Sequence, residues 1–158
     1  MKKDNEKTNV MRMLEQAGIP YKAHYYDDTI TDGVSVAKFV GIEQERTFKT
    51  LVTIGSDLNH YVFVIPVAET LDLKKGAKSV GVKSVSMLKQ KDLFPLTGYI
   101  HGGCSAIGMK KKFITKIDET AILFDEIATS GGKCGTQVTT SPDDFCRFID
   151  GEFCDLTL

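Results

Sequence analysis

Hydrophobic side chains recur at helical spacing in several stretches of the chain. Val10, Met13, Leu14 and Ala17 follow that spacing, and Gly18 is placed to end the helix. A last helix is predicted to start at Ser141, which is suited to cap it, and to run to about Asp150. Three further short helices, the first of them ended by Gly41, and one helical turn are predicted over Val34 to Val40, Leu73 to Val80, Ser86 to Leu93 and Asp118 to Ile122.

β-Branched and apolar runs typical of strands lie between these helices. Phe48 to Ile54 and Tyr61 to Val67 are joined by the polar residues Gly55 to Asn59, which indicates a hairpin. Other strands are predicted over Tyr21 to Tyr26, Gly98 to His101, Phe113 to Ile117, Leu123 to Thr129 and Thr136 to Thr140. Because strands outnumber helices and a hairpin is present, the pattern favours a mixed α/β domain with a largely antiparallel sheet.

Length and composition agree with one globular domain over residues 1–158. Of the 158 residues, 42% are hydrophobic and 26% are charged, and neither a linker nor an internal repeat interrupts the chain. The net charge of −1 gives no overall attraction to nucleic acid, so RNA binding would need a local basic patch, and DNA is not an expected partner. The candidates are Lys74, Lys75, Lys78, Lys83 and Lys110 to Lys112, which are equally compatible with a solvated face.

The spacing of the cysteines and the polarity of the N-terminal residues predict that the protein is cytoplasmic. Cys104, Cys134, Cys146 and Cys154 show no C-x-x-C spacing, and residues 1–7 are too polar to begin a secretory signal. No apolar run approaches the roughly 18 residues of a membrane span, so no membrane partner is expected. The three histidines are scattered, so we expect neither a metal nor another cofactor.

Two glycine-rich loops are the most informative feature. Residues 98–108 hold four glycines and a serine, and residues 130–135 form a second such loop after a similar apolar run. Glycine lets the backbone approach a ligand with its N–H groups exposed, so the loops are predicted to form two walls of one pocket. The alternative is that both are tight turns that only reverse the chain.

The motif that runs from Thr97 to Lys112 resembles the core motif of the YbaK/EbsC family, free-standing aminoacyl-tRNA deacylases related to the editing domain of bacterial prolyl-tRNA synthetase. Thr47 to Leu51, Pro66 to Lys75 and the loop at 130–135 fit the same family in order and spacing, and the likeness covers residues 8 to 156. The resemblance implies a single curved, barrel-like mixed sheet with helices outside.

Lys49 is the charge that stands out within an apolar strand. Alternation places it on one face with Leu51 and Thr53, where a lysine either snorkels at a strand edge or points into a pocket. In the family, the matching lysine is the functional residue, so the resemblance implies that Lys49 is catalytic. It also implies that a pocket binds the substrate through Tyr26, Gly98, Gly102, Gly103, Ser105, Gly108, Gly131 and Gly132.

Three positions depart from the family pattern. Ala106 replaces a usual proline, Cys134 replaces an arginine of the second loop, and Gln137 stands where close relatives carry an acid. The cysteine at position 134 lacks the hydrogen-bond donor that the arginine would supply. The amide of Gln137 weakens any assignment of a catalytic acid at that position. These differences bear on substrate choice more than on the class of reaction.

The resemblance implies a trans-editing deacylase that acts on the aminoacylated 3′ end of tRNA, with cysteinyl-tRNA(Pro) the first candidate and cysteinyl-tRNA(Cys) a further one. The substrate's own thiol would attack its ester, which makes the protein formally a lyase, and prolyl-tRNA synthetase would supply tRNA selectivity. Three alternatives stay open at this point: water-based hydrolysis of alanyl-tRNA(Pro), a thiol hydrolase that uses Cys104 with His101, and a non-catalytic module that binds RNA ends or a synthetase.

Overall fold

The computed structural model describes residues 6–158, so the start of the chain lies outside the described residues. Its helices are α1 (Asn9–Gln16), α2 (Gly33–Val40), α3 (Leu73–Val80), α4 (Gln90–Thr97) and α5 (Pro142–Phe148), with 3₁₀ turns at Gln44–Arg46 and Glu119–Leu123. Its strands are β1 (Lys22–Tyr25), β2 (Phe48–Gly55), β3 (His60–Pro66), β4 (Val85–Met87), β5 (Ile114–Asp118), β6 (Ile127–Ser130), β7 (Thr136–Thr140) and β8 (Glu152–Cys154).

The strands form two sheets. One is antiparallel with the order β1-β7-β6, and the other is mixed with the order β4-β2-β3-β5-β8, in which β5 runs parallel to both β3 and β8. A single parallel bridge between Thr47 and Ala128 links the two sheets. The mixed α/β class is therefore confirmed, whereas the five-stranded sheet is more mixed than expected and this pairing shows no closed barrel among residues 6–158.

The central strand β3 separates two hydrophobic clusters. Val64 lies in a cluster with residues of α1, β5, β6, β7 and α5, and Phe63 lies in a second cluster beneath α3. Side chains alternate across a strand, so β3 is buried on both faces. Gly76 allows α3 to approach closely, since a Cβ there would lie 3.3 Å from the Phe63 ring.

Most predicted elements are confirmed, and their caps explain why. The Thr8 hydroxyl accepts from the Met11 N–H at the start of α1, and Ser141 accepts from Asp144 at the start of α5. Gly41, with φ of 83°, ends α2 in the left-handed region that glycine favours. The predicted hairpin of β2 and β3 is confirmed, and its antiparallel register runs from Phe48 and Pro66 to Ile54 and His60.

Three predictions about elements are wrong. The stretch Ser86 to Leu93 is not one helix: β4 pairs with the end of β2, and α4 starts only at Gln90. Gly98 to His101 is not a strand, because Gly98 takes φ of 85° as the cap that ends α4. The strand predicted from Leu123 begins only at Ile127, and the short β8 was not predicted.

None of the helices described over residues 6–158 is long and apolar enough to cross a membrane.

A candidate substrate cleft at an open strand edge

A cleft lies where part of β2 has no strand neighbour on one side. β4 pairs only with Thr53 to Gly55, and the bridge to β6 is at Thr47. Between these points no described strand covers residues 48–52, and all five line the cleft, whose volume is about 460 Å³. That volume is typical of a site for a small molecule or for one end of a larger one.

The open edge also presents backbone groups. The Val67 N–H donates to the Thr47 oxygen, and the Gly55 N–H donates to the Asn59 oxygen, which fixes the alternation of the ladder between β2 and β3. In an antiparallel pair this directs the backbone of Phe48 and Thr50 away from β3. The backbone of Phe48 is therefore on the side of the bridge to Ala128, whereas the N–H and C=O groups of Thr50 face the cleft and can bind a polar ligand.

Lys49 lines this cleft, as the pocket interpretation predicts. Lys49 pairs with Ile65 in the register of β2 and β3, and its side chain is half-buried. Within residues 6–158 the ammonium group makes no hydrogen bond or ion pair, and its charge acts on Asp32, which lines the same cleft. A half-buried cation without a counter-ion is available to bind an anion or a carbonyl oxygen.

Asp32 supplies the opposite charge in the cleft. It caps α2 and accepts hydrogen bonds from the Ser35 N–H (3.0 Å) and hydroxyl (2.8 Å), both at Oδ2. These bonds, the hydroxyl bond first, lower the pKa of Asp32 below its ordinary value, and Lys49 lowers it further. The carboxylate is therefore ionised at neutral pH, and its Oδ1 has no hydrogen-bond partner in the described chain.

Two residues of the antiparallel sheet form the floor. Tyr26 follows β1 and is buried, and burial raises the pKa of its phenol, an effect that a hydrogen bond from the Gly135 backbone partly offsets. Gln137 lies on the central strand β7 with 5% exposure, and its Oε1 is buried without a hydrogen-bond partner. Since a buried acceptor is normally paired, Gln137 is suited to receive a hydrogen bond from a ligand.

The two glycine loops contact each other. A Cβ at Gly103 would lie 2.9 Å from the Cys134 nitrogen, and a Cβ at Gly102 would lie 3.3 Å from the Cys134 sulfur. The Cys134 thiol donates to the His101 carbonyl over 3.7 Å. Of the glycines assigned to substrate binding, only Gly102 lines the cleft, together with His101, Cys104 and Ser130 of the two loops.

The other predicted binding residues lie outside the cleft lining and make structural contacts. Ser105 is fully buried, and its Oγ accepts from the Ile107 N–H over 3.0 Å. Gly98 ends α4, and Cβ atoms at the remaining glycines would meet neighbouring side chains or backbone. Their role in substrate binding stays a prediction, and that set is Gly98, Gly103, Ser105, Gly108, Gly131 and Gly132.

Cys104 lies in the cleft wall but is poorly suited to act as a nucleophile. Burial raises the pKa of its thiol to about 12, so the thiol is protonated at neutral pH. No hydrogen bond joins it to His101 or to another base within residues 6–158.

The sequence analysis missed part of the cleft. Asp32 is recognisable from sequence as a helix cap, but its approach to Lys49 depends on tertiary structure. The cleft is also lined by four residues from the stretch that was predicted to be one helix, namely Met87, Leu88, Gln90 and Leu93. Among the described residues, no group of three histidine, cysteine or acidic side chains could hold a metal ion.

Comparison with known proteins supplies the family. A model of the aminoacyl-tRNA editing domain matches residues 28–148. The chain is 46% identical over 158 residues to an Enterococcus faecalis protein named "Putative Cys-tRNA(Pro)/Cys-tRNA(Cys) deacylase EbsC", covering 99% of this chain and 96% of that protein.

Two solved structures share the fold. One is described as "a putative trans-editing enzyme for prolyl tRNA synthetase", with a TM-score of 0.84, 22% identity and coverage of 97% of this chain and 99% of the other. The other, the hypothetical protein APE2540, gives a TM-score of 0.87 at 17% identity, over 96% of this chain and 100% of its own. The match of the editing-domain model and the near full-length identity to the Enterococcus protein together establish that this chain belongs to the aminoacyl-tRNA editing domain family.

Proposed function

We propose that this protein is a trans-editing deacylase that removes cysteine from mischarged Cys-tRNA(Pro), with Cys-tRNA(Cys) as a further substrate. The observation that carries the proposal is the unpaired ammonium of Lys49, which shares with Asp32 a cleft of about 460 Å³ at an open strand edge. The name of the Enterococcus relative points to the same substrates.

The cleft offers complementary groups for an aminoacyl ester. The α-ammonium group of the amino acid would be held by Asp32 Oδ1 and Gln137 Oε1, two acceptors of cleft residues that have no partner in the described chain. Lys49 would hold the ester carbonyl or a phosphate of the RNA end. The backbone N–H groups of Thr50, at the edge of β2, and of Gly102 would stabilise the negative charge that develops on the ester carbonyl oxygen. Each would contribute roughly 3 kcal/mol.

The nucleophile in this proposal is the thiol of the substrate. Its sulfur attacks the ester carbonyl carbon, and the bond from that carbon to the terminal ribose oxygen breaks. The thiol proton passes to this ribose oxygen, which becomes the terminal hydroxyl of the tRNA. The products are a cyclic thioester and free tRNA. Orientation alone can supply on the order of 7–11 kcal/mol of the barrier for an intramolecular attack. The protonated state of Cys104 supports this choice over an enzyme thiol.

The whole chain, residues 1–158, would work as one editing domain, and prolyl-tRNA synthetase would be the partner that selects the tRNA. In this proposal, the two sheets would close around the cleft in a barrel-like arrangement. The small net charge of −1 is consistent with a protein that does not bind tRNA through its overall charge.

The test is to incubate the purified protein with cysteinyl-, alanyl- and seryl-tRNA(Pro) and to follow loss of each ester, with and without prolyl-tRNA synthetase. We expect cysteinyl ester to be lost fastest and the Lys49→Ala variant to be inactive. Loss of alanyl ester alone would favour the hydrolytic alternative. Stability of all three esters would contradict the proposal and favour a non-catalytic binding module.

A further inference from the structure

An exposed aromatic ring lies on α4, a helix that contributes residues to the cleft. Gln90 and Leu93 of this helix line the cleft, and Phe94 follows Leu93 with 54% exposure. Thr97 is the one buried residue of the helix, so α4 presents most of its surface to solvent. A single exposed apolar residue is ordinary on a protein surface, so Phe94 needs a second observation before it indicates a site.

Lys110 provides that observation. Its ammonium lies 5.3 Å from the centroid of the Phe94 ring, a cation–π contact. Its backbone N–H donates to the Thr97 oxygen over 3.0 Å, and its side-chain stem packs where a Cβ at Gly98 would lie, 3.3 Å away. The lysine is therefore held on the ring by the end of α4, with no carboxylate partner within residues 6–158.

The charged residues that neighbour Phe94 and Lys110 along the sequence are mainly lysines. Lys89 immediately precedes α4 and Lys91 lies within it, and Lys111 follows Lys110. All three are exposed, and none forms an ion pair in the described part of the chain. The one acidic residue of α4 is Asp92. Aromatic rings flanked by unpaired lysines are the combination that binds unpaired bases and their phosphates.

We propose that Phe94 and Lys110 form a stacking platform for a base of the single-stranded RNA 3′ end that enters the cleft. This inference rests on the proposed function, since it assumes that the aminoacyl group occupies the cleft. The nucleotides that precede the terminal adenosine must then leave through the cleft rim, where α4 lies. A base stacks on the face of Phe94 that Lys110 leaves open, and the lysines contact the adjoining phosphates.

The direct test uses a fluorescein-labelled single-stranded RNA of ten nucleotides that ends in CCA, and measures its affinity by anisotropy. Stacking of one base on an aromatic side chain is worth about 1–3 kcal/mol, so Phe94→Ala should weaken binding at least about fivefold. Phe94→Trp should retain wild-type affinity. Lys110→Met should reduce the slope of log affinity against log salt by about 0.7, the value for one phosphate contact with a single strand.

Phe39→Ala is the matched control, because Phe39 is 59% exposed and does not line the cleft. A 2-aminopurine base placed next to the 3′ end should lose fluorescence on binding to the wild type and to Phe94→Trp but not to Phe94→Ala. In the deacylation assay, Phe94→Ala should raise KM about fivefold or more while kcat stays within about twofold.

Several results would overturn the platform. They are absence of oligonucleotide binding by the wild type, equal binding by the wild type and Phe94→Ala, and loss of synthetase binding in Phe94→Ala without a change in RNA affinity. None of these results would contradict the proposed cleavage of the cysteinyl ester. Failure of the wild type to cleave any ester would instead contradict the proposed function, while the anisotropy and 2-aminopurine measurements would still decide whether Phe94 stacks on RNA.

Discussion

The cleft has two walls of different construction. The sheet wall, formed by residues 48–52 with Tyr26 and Gln137, offers polar atoms that the fold leaves without partners, such as Lys49 Nζ and Gln137 Oε1. The loop wall, formed by residues 98–108 and 130–135, uses Gly102 and Gly103 to bring the first loop against Cys134 of the second. The comparison teaches that a glycine-rich loop beside a cleft can be a scaffold, while polar groups without partners lie on strands.

The largest effect is expected from Lys49→Ala on the sheet wall. Loss of a fixed electrostatic donor should lower kcat/KM for cysteinyl-tRNA(Pro) by about 10²–10³-fold. The free energy of unfolding should change little, because the side chain is half-buried and has no partner to lose. Single-turnover deacylation and thermal unfolding measure the two quantities. Lys38→Ala, at an exposed lysine of α2, is the control, and near wild-type activity of Lys49→Ala would remove Lys49 from the mechanism.

Gln137→Met should reduce activity without reducing stability. The substitution removes an acceptor that has no partner in the free protein, so only the complex loses a hydrogen bond. We expect KM to rise about 10- to 150-fold, from the roughly 1.5–3 kcal/mol of a hydrogen bond to a charged group. Thr129→Val removes another unpartnered buried oxygen outside the cleft and should leave KM unchanged. Equal KM values for wild type and Gln137→Met would show that Gln137 does not bind the substrate.

Gly103→Ala tests the loop wall as a scaffold. A Cβ there would lie 2.9 Å from the Cys134 backbone nitrogen, so we expect a loss of about 1–3 kcal/mol in the free energy of unfolding. The measurement is chemical denaturation, with kcat per folded molecule falling less than about tenfold. Gly18→Ala is a control for backbone strain alone, since its φ is 71° and nothing lies within 4 Å of the new Cβ. A Gly103→Ala protein as stable as wild type would mean that the loops are not tightly packed.

The smallest effect on turnover is expected from Cys104→Ala. Because burial holds the pKa of its thiol at about 12, Cys104 stays protonated and the variant should keep at least half of wild-type activity. The rate should rise with pH and level off near about 8.5, where an ordinary thiol of the substrate ionises. A rate that keeps rising toward pH 10, together with an inactive Cys104→Ala, would identify the enzyme thiol as the nucleophile.

Local chemistry made much of the fold predictable. The β-branched runs on both sides of Gly55 to Asn59 specify the hairpin, and Ser141 with Pro142 specifies the start of α5. Prediction failed at β4, because its pairing with the end of β2 decides its conformation and local sequence does not.

The site was predictable only in part. The resemblance to the editing family named Lys49 and Tyr26, and both line the cleft. The position of Asp32 near Lys49 and the unpaired Oε1 of Gln137 arise from the meeting of α2, β2 and β7, which single-strand periodicity does not reveal. For the same reason, the sequence could not show that most of the loop glycines pack against other parts of the protein and do not line the cleft.

The central claim is that the substrate's thiol performs the cleavage, and the ester of S-methylcysteine on tRNA(Pro) tests it most directly. This ester has nearly the shape of the cysteinyl ester but cannot form a thiolate. We predict that its single-turnover cleavage is at least about 100-fold slower than that of cysteinyl-tRNA(Pro), because the oriented intramolecular nucleophile is lost. Cleavage of both esters at similar rates would contradict the account.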